Sequence, residues 1–397
     1  MSAVVMTAIA ALLPAFTVGA LAVPIQRDLG IGSTRFGVAL ACFFAVSALA
    51  SVLTRAIVSR LSVPLMLAGI CGLSAVTLSI AAGAHSAGLL TMLMVLAGFG
   101  NALVQPAAGR YIAAEVPPDR LSLATGLVGA ALGAAPLVPG LLVALVAGVH
   151  GWRVALTVGS ILALVAMLAA PLARIRSREV KPPPGRVSAA VVGPGTEQGQ
   201  RVRSMVLRSW TLAALLGSVG VNMAATYFVQ IGTHSGLSIV VAGALLAAAS
   251  AVAVLMRIVV GVLGDRAPER NPVMVAVLML SGAIGLGVLA LSTPTSFVFG
   301  AVLAVAGGWG WTGLLLAASM RLLPDNPPRA GAAMQIGLFG GAALSPLGFG
   351  ALVAAIGVPA TVGLAAFASL AGVAAVLAGE VILRRSSPVE SVPMRRG

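Results

Sequence analysis

Long apolar runs, separated by short polar or basic breaks, fill almost the whole chain. A helix rises 1.5 Å per residue, so about 20 apolar residues are needed to cross a hydrocarbon core of about 30 Å. The pattern therefore predicts an all-α integral membrane protein with 12 transmembrane helices in two pseudo-symmetric six-helix bundles. The twelve runs that reach this length lie near residues 3–24, 36–58, 63–83, 88–111, 121–148, 152–173, 209–232, 237–263, 272–292, 296–320, 330–355 and 357–382.

The segment between the sixth and seventh runs has a different composition. Residues 174–208 contain three consecutive prolines, several glycines and eight basic residues. Such a segment cannot bury enough apolar surface to fold by itself, so we predict a cytoplasmic linker. The predicted organisation is an N-terminal six-helix bundle over 1–173, the linker over 174–208, a C-terminal six-helix bundle over 209–385 and a cytoplasmic tail over 386–397.

Composition supports the membrane assignment. Hydrophobic residues make up 59% of the chain and charged residues 9%, whereas about a quarter of the residues in a soluble domain are charged. The 48 glycines fit a protein whose membrane helices approach closely. Cys42 and Cys71 both lie within apolar runs, so neither a disulfide framework nor a cysteine metal site is indicated.

The net charge of +14 would suit a nucleic-acid partner, but the distribution of the basic residues argues against one. If both termini and the linker share one side, 19 of the 24 Lys and Arg residues fall there, three fall on the other side and two lie within predicted helices. Such an asymmetry follows the positive-inside rule. We therefore predict a multi-pass protein of the cytoplasmic (inner) membrane with both termini in the cytoplasm. The first run lacks a basic n-region and a clear cleavage site, which favours a retained helix over a signal peptide.

The two halves also repeat in sequence. With a shift of 210 residues, Pro136 aligns with Pro346 and Gly140 aligns with Gly350. With a shift of 202 residues, Arg55 aligns with Arg257. Parallel six-helix repeats with a binding site near the bilayer midplane are one known design of secondary transporters.

A short loop after the eighth run resembles the signature loop of the major facilitator superfamily. The residues that carry the resemblance are Gly261, Gly264, Asp265, Arg266 and Arg270. The equivalent stretch of the first half, residues 59–64, lacks the aspartate. The resemblance implies a secondary active transporter that works by alternating access between its two halves, and it makes these five residues candidates for a conformational gate.

The fifth run is rich in glycine and proline and resembles a stretch found in exporters of the same superfamily. Its members are Gly126, Gly129, Gly133, Pro136, Pro139 and Gly140. One interpretation is a bend that shapes an export cycle, with Pro136 and its repeat partner Pro346 as gate residues. The alternative is that small residues and proline only permit close, kinked helix packing.

Two arginines, Arg55 and Arg257, are the only charges well inside the predicted helices. Each costs about 2.5–3.5 kcal/mol to insert, so a compensating interaction is expected. The arginines could extend to the headgroups or pair structurally. They could also bind an anionic substrate, because no Asp or Glu lies deep within any run. The arginine before the loop is similar to that of monocarboxylate transporters, and the pair is similar to that of nitrate and nitrite porters.

Other polar residues within the runs could line a substrate cavity or form helix–helix hydrogen bonds, worth about 0.6 kcal/mol on average. Four share or adjoin one face of the seventh run, two share a face of the fourth, and one is in the eleventh. The candidates for substrate binding are Asn222, Thr226, Tyr227, Gln230, Asn101, Gln105 and Gln335.

Enzymatic chemistry is not supported by the residues present. Lys181 is the only lysine and precedes a proline, so no phosphate-binding Gly-Lys-Ser/Thr loop exists. The three histidines lack metal-ligand spacing. We therefore predict no enzyme activity, no cofactor and no metal.

The expected protein is a monomer in a lipid bilayer that transports a small-molecule substrate, with a coupling ion as an open alternative. A small organic or inorganic anion is the expected substrate. The alternatives are an exporter of apolar compounds or drugs and, from another class, a non-transporting membrane sensor or assembly factor.

Overall fold

A computed structural model describes residues 1–53, 61–116, 128–131, 133–173, 197–323 and 326–386, and all regular elements within them are helices. Ten of the described segments are long and apolar enough to cross a membrane. Two of these, Leu137–Ala173 and Arg329–Ser386, are long enough for two crossings each. The all-helical membrane fold predicted from the hydropathy pattern is therefore confirmed.

The helices of the first half follow the predicted runs closely. We label them α1 (Ser2–Ala20, continued by Ala22–Leu29), α2 (Ser33–Leu53), α3 (Val63–Ala82), α4 (Ala87–Ala102, continued by Val104–Glu115), α5 (the helical residues 128–131 and 133–134, then Leu137–Leu142 and the π-helical turn Val143–Ala147) and α6 (within Gly148–Ala169).

The second half has the same arrangement. Its helices are α7 (Glu197–Thr226, continued by Phe228–His234), α8 (Ile239–Arg266), α9 (Asn271–Leu289), α10 (short segments from Pro294–Val302 to Thr312–Leu322), and α11 and α12 (both within Pro327–Ser386). Helix α7 begins at Glu197, within the stretch predicted as linker, because a polar and basic helix extension does not register in a hydropathy pattern. Residues 174–196 and 387–397 lie outside the described residues.

Two glycines divide the double-length segments into pairs of helices. Gly151 has φ 84° and Gly357 has φ 79°, a left-handed conformation that glycine adopts without steric cost. The chain reverses beyond Gly151. The evidence is that a Cβ built at Gly159 would lie 3.4 Å from Cδ1 of Leu142, so these residues are close in space. In one straight helix these residues would be about 25 Å apart.

The bundle has two ends, which we name by the chain segments that lie there. The linker end holds Met1, Ala173 and Glu197. The far end holds the turns at Gly30, Gly151, Gly236 and Gly357, which are the glycines with positive φ among the described residues.

Among the described residues, one hydrophobic cluster is continuous between the two halves, and it includes the far end. This cluster joins first-half residues such as Phe16 and Phe43 to second-half residues such as Tyr227. Toward the linker end the described residues form two clusters, one in each half. The halves are thus packed together at the far end and have separate cores at the linker end.

The structure also gives the register of the internal repeat. The turns at Gly30 and Gly236 are 206 residues apart, and so are the turns at Gly151 and Gly357. The breaks in α1 at Leu21 and in α7 at Tyr227 have the same separation. The shifts of 210 and 202 taken from sequence identities are therefore wrong by about one helical turn each. Small residues recur about every turn in these helices, so a one-turn slip preserves most matches.

Candidate functional site

Arg257 of α8 connects the two halves of the protein. Its Nε donates a hydrogen bond to the carbonyl oxygen of Trp309 in α10, at 3.1 Å. Its Nη1 donates to the carbonyl oxygen of Gly129, in the first half. The guanidinium carbon lies 5.2 Å from the centroid of the Trp309 ring, within the range of a cation–π interaction. This arginine therefore lies at a point where α5, α8 and α10 meet.

The absence of a side chain at Gly133 makes room for the guanidinium. A Cβ at Gly133 would overlap Nη1 of Arg257, whereas a Cβ at Gly129 would meet no atom within 4 Å. Two glycines four residues apart thus form a notch on α5, one leaving space for the arginine and the other offering its carbonyl. This gives the glycines of the fifth run a packing role that requires no export cycle.

The positive charge of Arg257 has no carboxylate partner among the described residues. The described ion pairs join Asp28 to Arg153, Glu269 to Arg270 and Glu380 to Arg384. Arg257 is half-buried, and its hydrogen-bond acceptors among the described residues are carbonyl oxygens. Of the five N–H donors of a guanidinium, two are used by described residues and three remain.

Residues on α7 form a second group, at the contact between the halves near the far end. Tyr227 stacks on Phe349 with ring centroids 4.0 Å apart, and its hydroxyl donates to the carbonyl oxygen of Pro346 at 3.3 Å. The amide of Gln26 donates to Oε1 of Gln230, also at 3.3 Å, across the two halves. Thr226 is buried, and its hydroxyl has no partner among the described residues. The structure therefore separates these α7 candidates from Arg257.

Two further candidates form hydrogen bonds within one half. Asn222 donates to the carbonyl and hydroxyl oxygens of Ser218, both at 2.9 Å. Asn101 of α4 donates to the hydroxyl of Ser47 in α2 at 3.1 Å.

The remaining candidates differ in exposure. Gln105 is exposed, Gln335 is half-buried, and Arg55 lies outside the described residues.

The structure extends α8 to Arg266, so most of the signature loop predicted from the sequence forms the end of this helix. This loop is held through its second glycine. A Cβ at Gly264 would overlap Leu314 of α10, so glycine allows these helices to approach. The side chain of Asn271 is buried, and in the amide orientation that satisfies both groups it donates to the carbonyl of Gly264 at 3.2 Å and accepts from Arg321. The remaining gate candidates of this loop, Gly261, Asp265, Arg266 and Arg270, are all exposed.

The two prolines proposed for the gate have different surroundings. Both Pro136 and Pro346 are buried. Pro136 precedes the helical segment Leu137–Leu142. The carbonyl of Pro346 accepts from the hydroxyl of Tyr227 in the same half and lies against Gly37 of the first half. In the register of 206 residues, Pro346 corresponds to Gly140 and not to Pro136.

An ion pair fixes the turns of the first half at the far end. Asp28 accepts from the indole N–H of Trp152 at 2.9 Å and from the guanidinium of Arg153. Together these donors hold the pKa of the Asp28 carboxyl below its ordinary value of 3.8. The contact ties the turn after α1 to the turn before α6.

Sequence reasoning missed two partners of Arg257. The carbonyl of Gly129 is a backbone group that no residue pattern identifies, although the four-residue spacing of Gly129 and Gly133 could have indicated a notch. Trp309 was visible in the middle of the tenth run, but nothing in the sequence placed its ring beside Arg257.

Comparisons with known proteins place this arrangement in a family. Residues 3–340 match the family profile of the Major Facilitator Superfamily. A crystal structure of a bacterial homologue of the human lysosomal transporter Spinster, inward-facing and unoccupied, superposes with a TM-score of 0.70 at 15% identity over 96% of this chain and 95% of that one. The occupied inward-facing form of that homologue gives 0.71 at 16% identity over 97% and 94%. No curated protein matches the chain. The matched family consists of secondary transporters and not of enzymes, as the sequence predicted. The chain belongs to the major facilitator superfamily.

Proposed function

We propose that this transporter carries a small organic or inorganic anion and that Arg257 is a principal ligand. The observation that supports the proposal is a half-buried guanidinium, placed between the halves, whose described partners are carbonyl oxygens only. Carbonyl dipoles compensate a positive charge less well than an anion does. Hydrogen bonds in which both groups are charged are shorter and about twice as strong as neutral ones.

The hydrogen bonds of Arg257 suggest how binding couples to movement. The bond to Trp309 lies within the second half, whereas the bond to Gly129 crosses to the first. An anion that takes Nη1 from the Gly129 carbonyl would remove a tie between the halves while leaving the arginine fixed to α10. Arg55 is the proposed second ligand. Thr226, Tyr227 and Gln230 would stabilise the closed contact between the halves at the far end. A substrate-binding role for Asn222, Asn101, Gln105 and Gln335 stays a prediction.

We also propose that the linker end faces the cytoplasm, because the basic residues concentrate there. The state described here would then be inward-facing, since the halves share a core at the far end and have separate cores at the linker end. Reporter fusions after residue 190 and at the C-terminus should both report a cytoplasmic location. An external signal from either fusion would contradict this orientation.

The test of the anion proposal is the variant Arg257→Lys. Lysine keeps the charge and the length but lacks the planar fork of donors that a carboxylate or other oxyanion engages. Purified protein in liposomes should take up a labelled anion from a panel of carboxylates, nitrate and phosphate, and Arg257→Lys should reduce its affinity at least tenfold. Arg208→Lys is the matched control, because Arg208 is exposed on α7 and belongs neither to the gate candidates nor to the binding candidates.

Three results would contradict the proposal. An unchanged anion affinity in Arg257→Lys would leave this residue a purely structural role. Dye efflux that ignores anions would favour an exporter of apolar compounds. A folded protein that transports none of the panel and no dye would favour a sensor or assembly factor.

A further inference from the structure

The indole N–H of Trp309 is a buried donor without a partner among the described residues. Two other tryptophans, Trp152 and Trp210, donate their N–H to an acceptor. The N–H of Trp152 donates to Asp28 at 2.9 Å, and that of Trp210 donates to the carbonyl oxygen of Val376 at 3.4 Å. A buried tryptophan N–H usually finds a partner, because leaving it unpaired costs about 1–3 kcal/mol. An acceptor from outside the described residues would therefore lower the free energy of the Trp309 N–H.

The surroundings of Trp309 define what kind of acceptor would suit it. The indole N–H is a donor only, so its partner must supply a lone pair. The guanidinium of Arg257 lies 5.2 Å from the centroid of the same ring and retains donors that no described residue uses. Within the described part of the chain, a positive charge that no carboxylate pairs with and a neutral donor that no acceptor uses thus lie side by side. A negatively charged group with two acceptor oxygens would satisfy both at once.

We propose that Trp309 is a second ligand of the transported anion and that the pair Arg257–Trp309 selects a small oxyanion, such as a carboxylate. One oxygen would accept from the guanidinium and another from the indole N–H. This inference rests on the proposed function and adds to it a residue that discriminates among anions. A single-atom anion such as chloride lacks a second acceptor atom and gains less from the pair.

The position of the pair gives the site a further property. Both residues belong to the second half, and the bond from Arg257 to the Trp309 carbonyl holds them together. Only the Gly129 carbonyl comes from the first half. Arg257 and Trp309 therefore keep their positions relative to each other when the halves move. The carbonyl of Gly129, which competes with the anion for Nη1, moves away with the first half.

The experiment compares Trp309→Phe with Trp210→Phe. Phenylalanine keeps an aromatic ring beside the arginine but removes the N–H. Thermal stabilisation of the purified protein by acetate, lactate and nitrate, against chloride at equal ionic strength, reports binding. Trp309→Phe should weaken oxyanion binding about tenfold or more and reduce the preference over chloride, with little change in the melting temperature without anion. Trp210→Phe, whose N–H binds a carbonyl away from the site, should leave affinity and preference unchanged.

A measurement on the unsubstituted protein covers the case in which Trp309→Phe does not fold. The chain has four tryptophans, so protein labelled with ¹⁵N at tryptophan should give four indole signals. The Trp309 signal, assigned by elimination with Phe variants of the other three, should shift as acetate is added. No shift, or equal affinity in Trp309→Phe while Arg257→Lys loses affinity, would overturn the role of Trp309 and leave the anion proposal standing. Absence of stabilisation by any oxyanion in the wild type would overturn both.

Discussion

Gly37 of α2 and Gly243 of α8 lie 206 residues apart and occupy equivalent crossings between the two halves. A Cβ at Gly37 would overlap the carbonyl oxygen of Pro346 in α11, and a Cβ at Gly243 would lie 2.9 Å from the carbonyl oxygen of Gly140 in α5. Pro346 and Gly140 are themselves 206 residues apart. The halves are therefore joined near the far end by two symmetric contacts between backbones.

Alanine at either crossing should separate the halves near the far end. The atoms that an added Cβ would meet include backbone atoms, which cannot move aside as the end of a long side chain can. We expect Gly37→Ala and Gly243→Ala each to lower the free energy of unfolding by about 1–3 kcal/mol, as overpacking does, and to slow transport. Gly69→Ala is the control, because a Cβ there meets nothing within 4 Å. Equal thermal unfolding of all three variants would show that the crossings are less tight than described.

The notch on α5 provides a test with a matched pair of variants. Gly133→Ala places a methyl group where Nη1 of Arg257 lies, whereas Gly129→Ala adds one in open space and keeps the carbonyl. Both exchanges favour the helix by about 1 kcal/mol. We expect both variants to fold, because the arginine end can move aside, and only Gly133→Ala to impair anion uptake. Equal uptake in the two variants would remove the functional importance of the contact between Arg257 and α5.

Asp28 should make stability depend on pH. Because its pKa is lowered in the folded protein, its contribution is fully present above the ordinary value of 3.8 and is lost as the pH falls through the lowered pKa. Asp28→Asn should therefore reduce the melting temperature at pH 7 but much less at a pH below 3. Glu269→Gln, which removes a carboxylate from an exposed pair, should change little at either pH. A difference between wild type and Asp28→Asn that does not vary with pH would contradict this account.

Asp265 is exposed in the state described, so it is available for a different conformation. If it acts as a gate by pairing with a basic group in the other state, Asp265→Asn should slow turnover with little loss of substrate affinity. Uptake rates and substrate-induced thermal stabilisation, measured on the same preparation, separate the two quantities. A large loss of affinity at normal turnover would place Asp265 in the binding site.

The helices and the family could be predicted because hydropathy and the signature residues at the end of α8 are local properties of the sequence. The register of the repeat could not, since glycine and alanine recur about every turn and allow a slip of four residues. That slip paired Arg257 with Arg55, whereas the structural register pairs Arg257 with Ser51.

For the candidate site, the sequence identifies Arg257 but not its partners. Arg257 is identifiable as a charge in an apolar run, but its partners are backbone carbonyls, and only the folded chain brings these to it. The polar residues of α7 looked equivalent along one helix face. In the folded protein, Tyr227 contacts Phe36 of the other half, whereas Asn222 bonds to Ser218 of its own helix.

The crossing at Gly243 is a fulcrum, a fixed point about which the rest of α8 can tilt relative to α5. Arg257 follows it by 14 residues, which corresponds to a lever arm of about 21 Å. A tilt of about 10° around the fulcrum would carry the guanidinium roughly 4 Å from its position, by the same geometry. A displacement of that size breaks the hydrogen bond to Gly129 while the backbones at the crossing barely move. Small angular fluctuations are therefore sufficient to free the arginine without exposing the far side of the membrane.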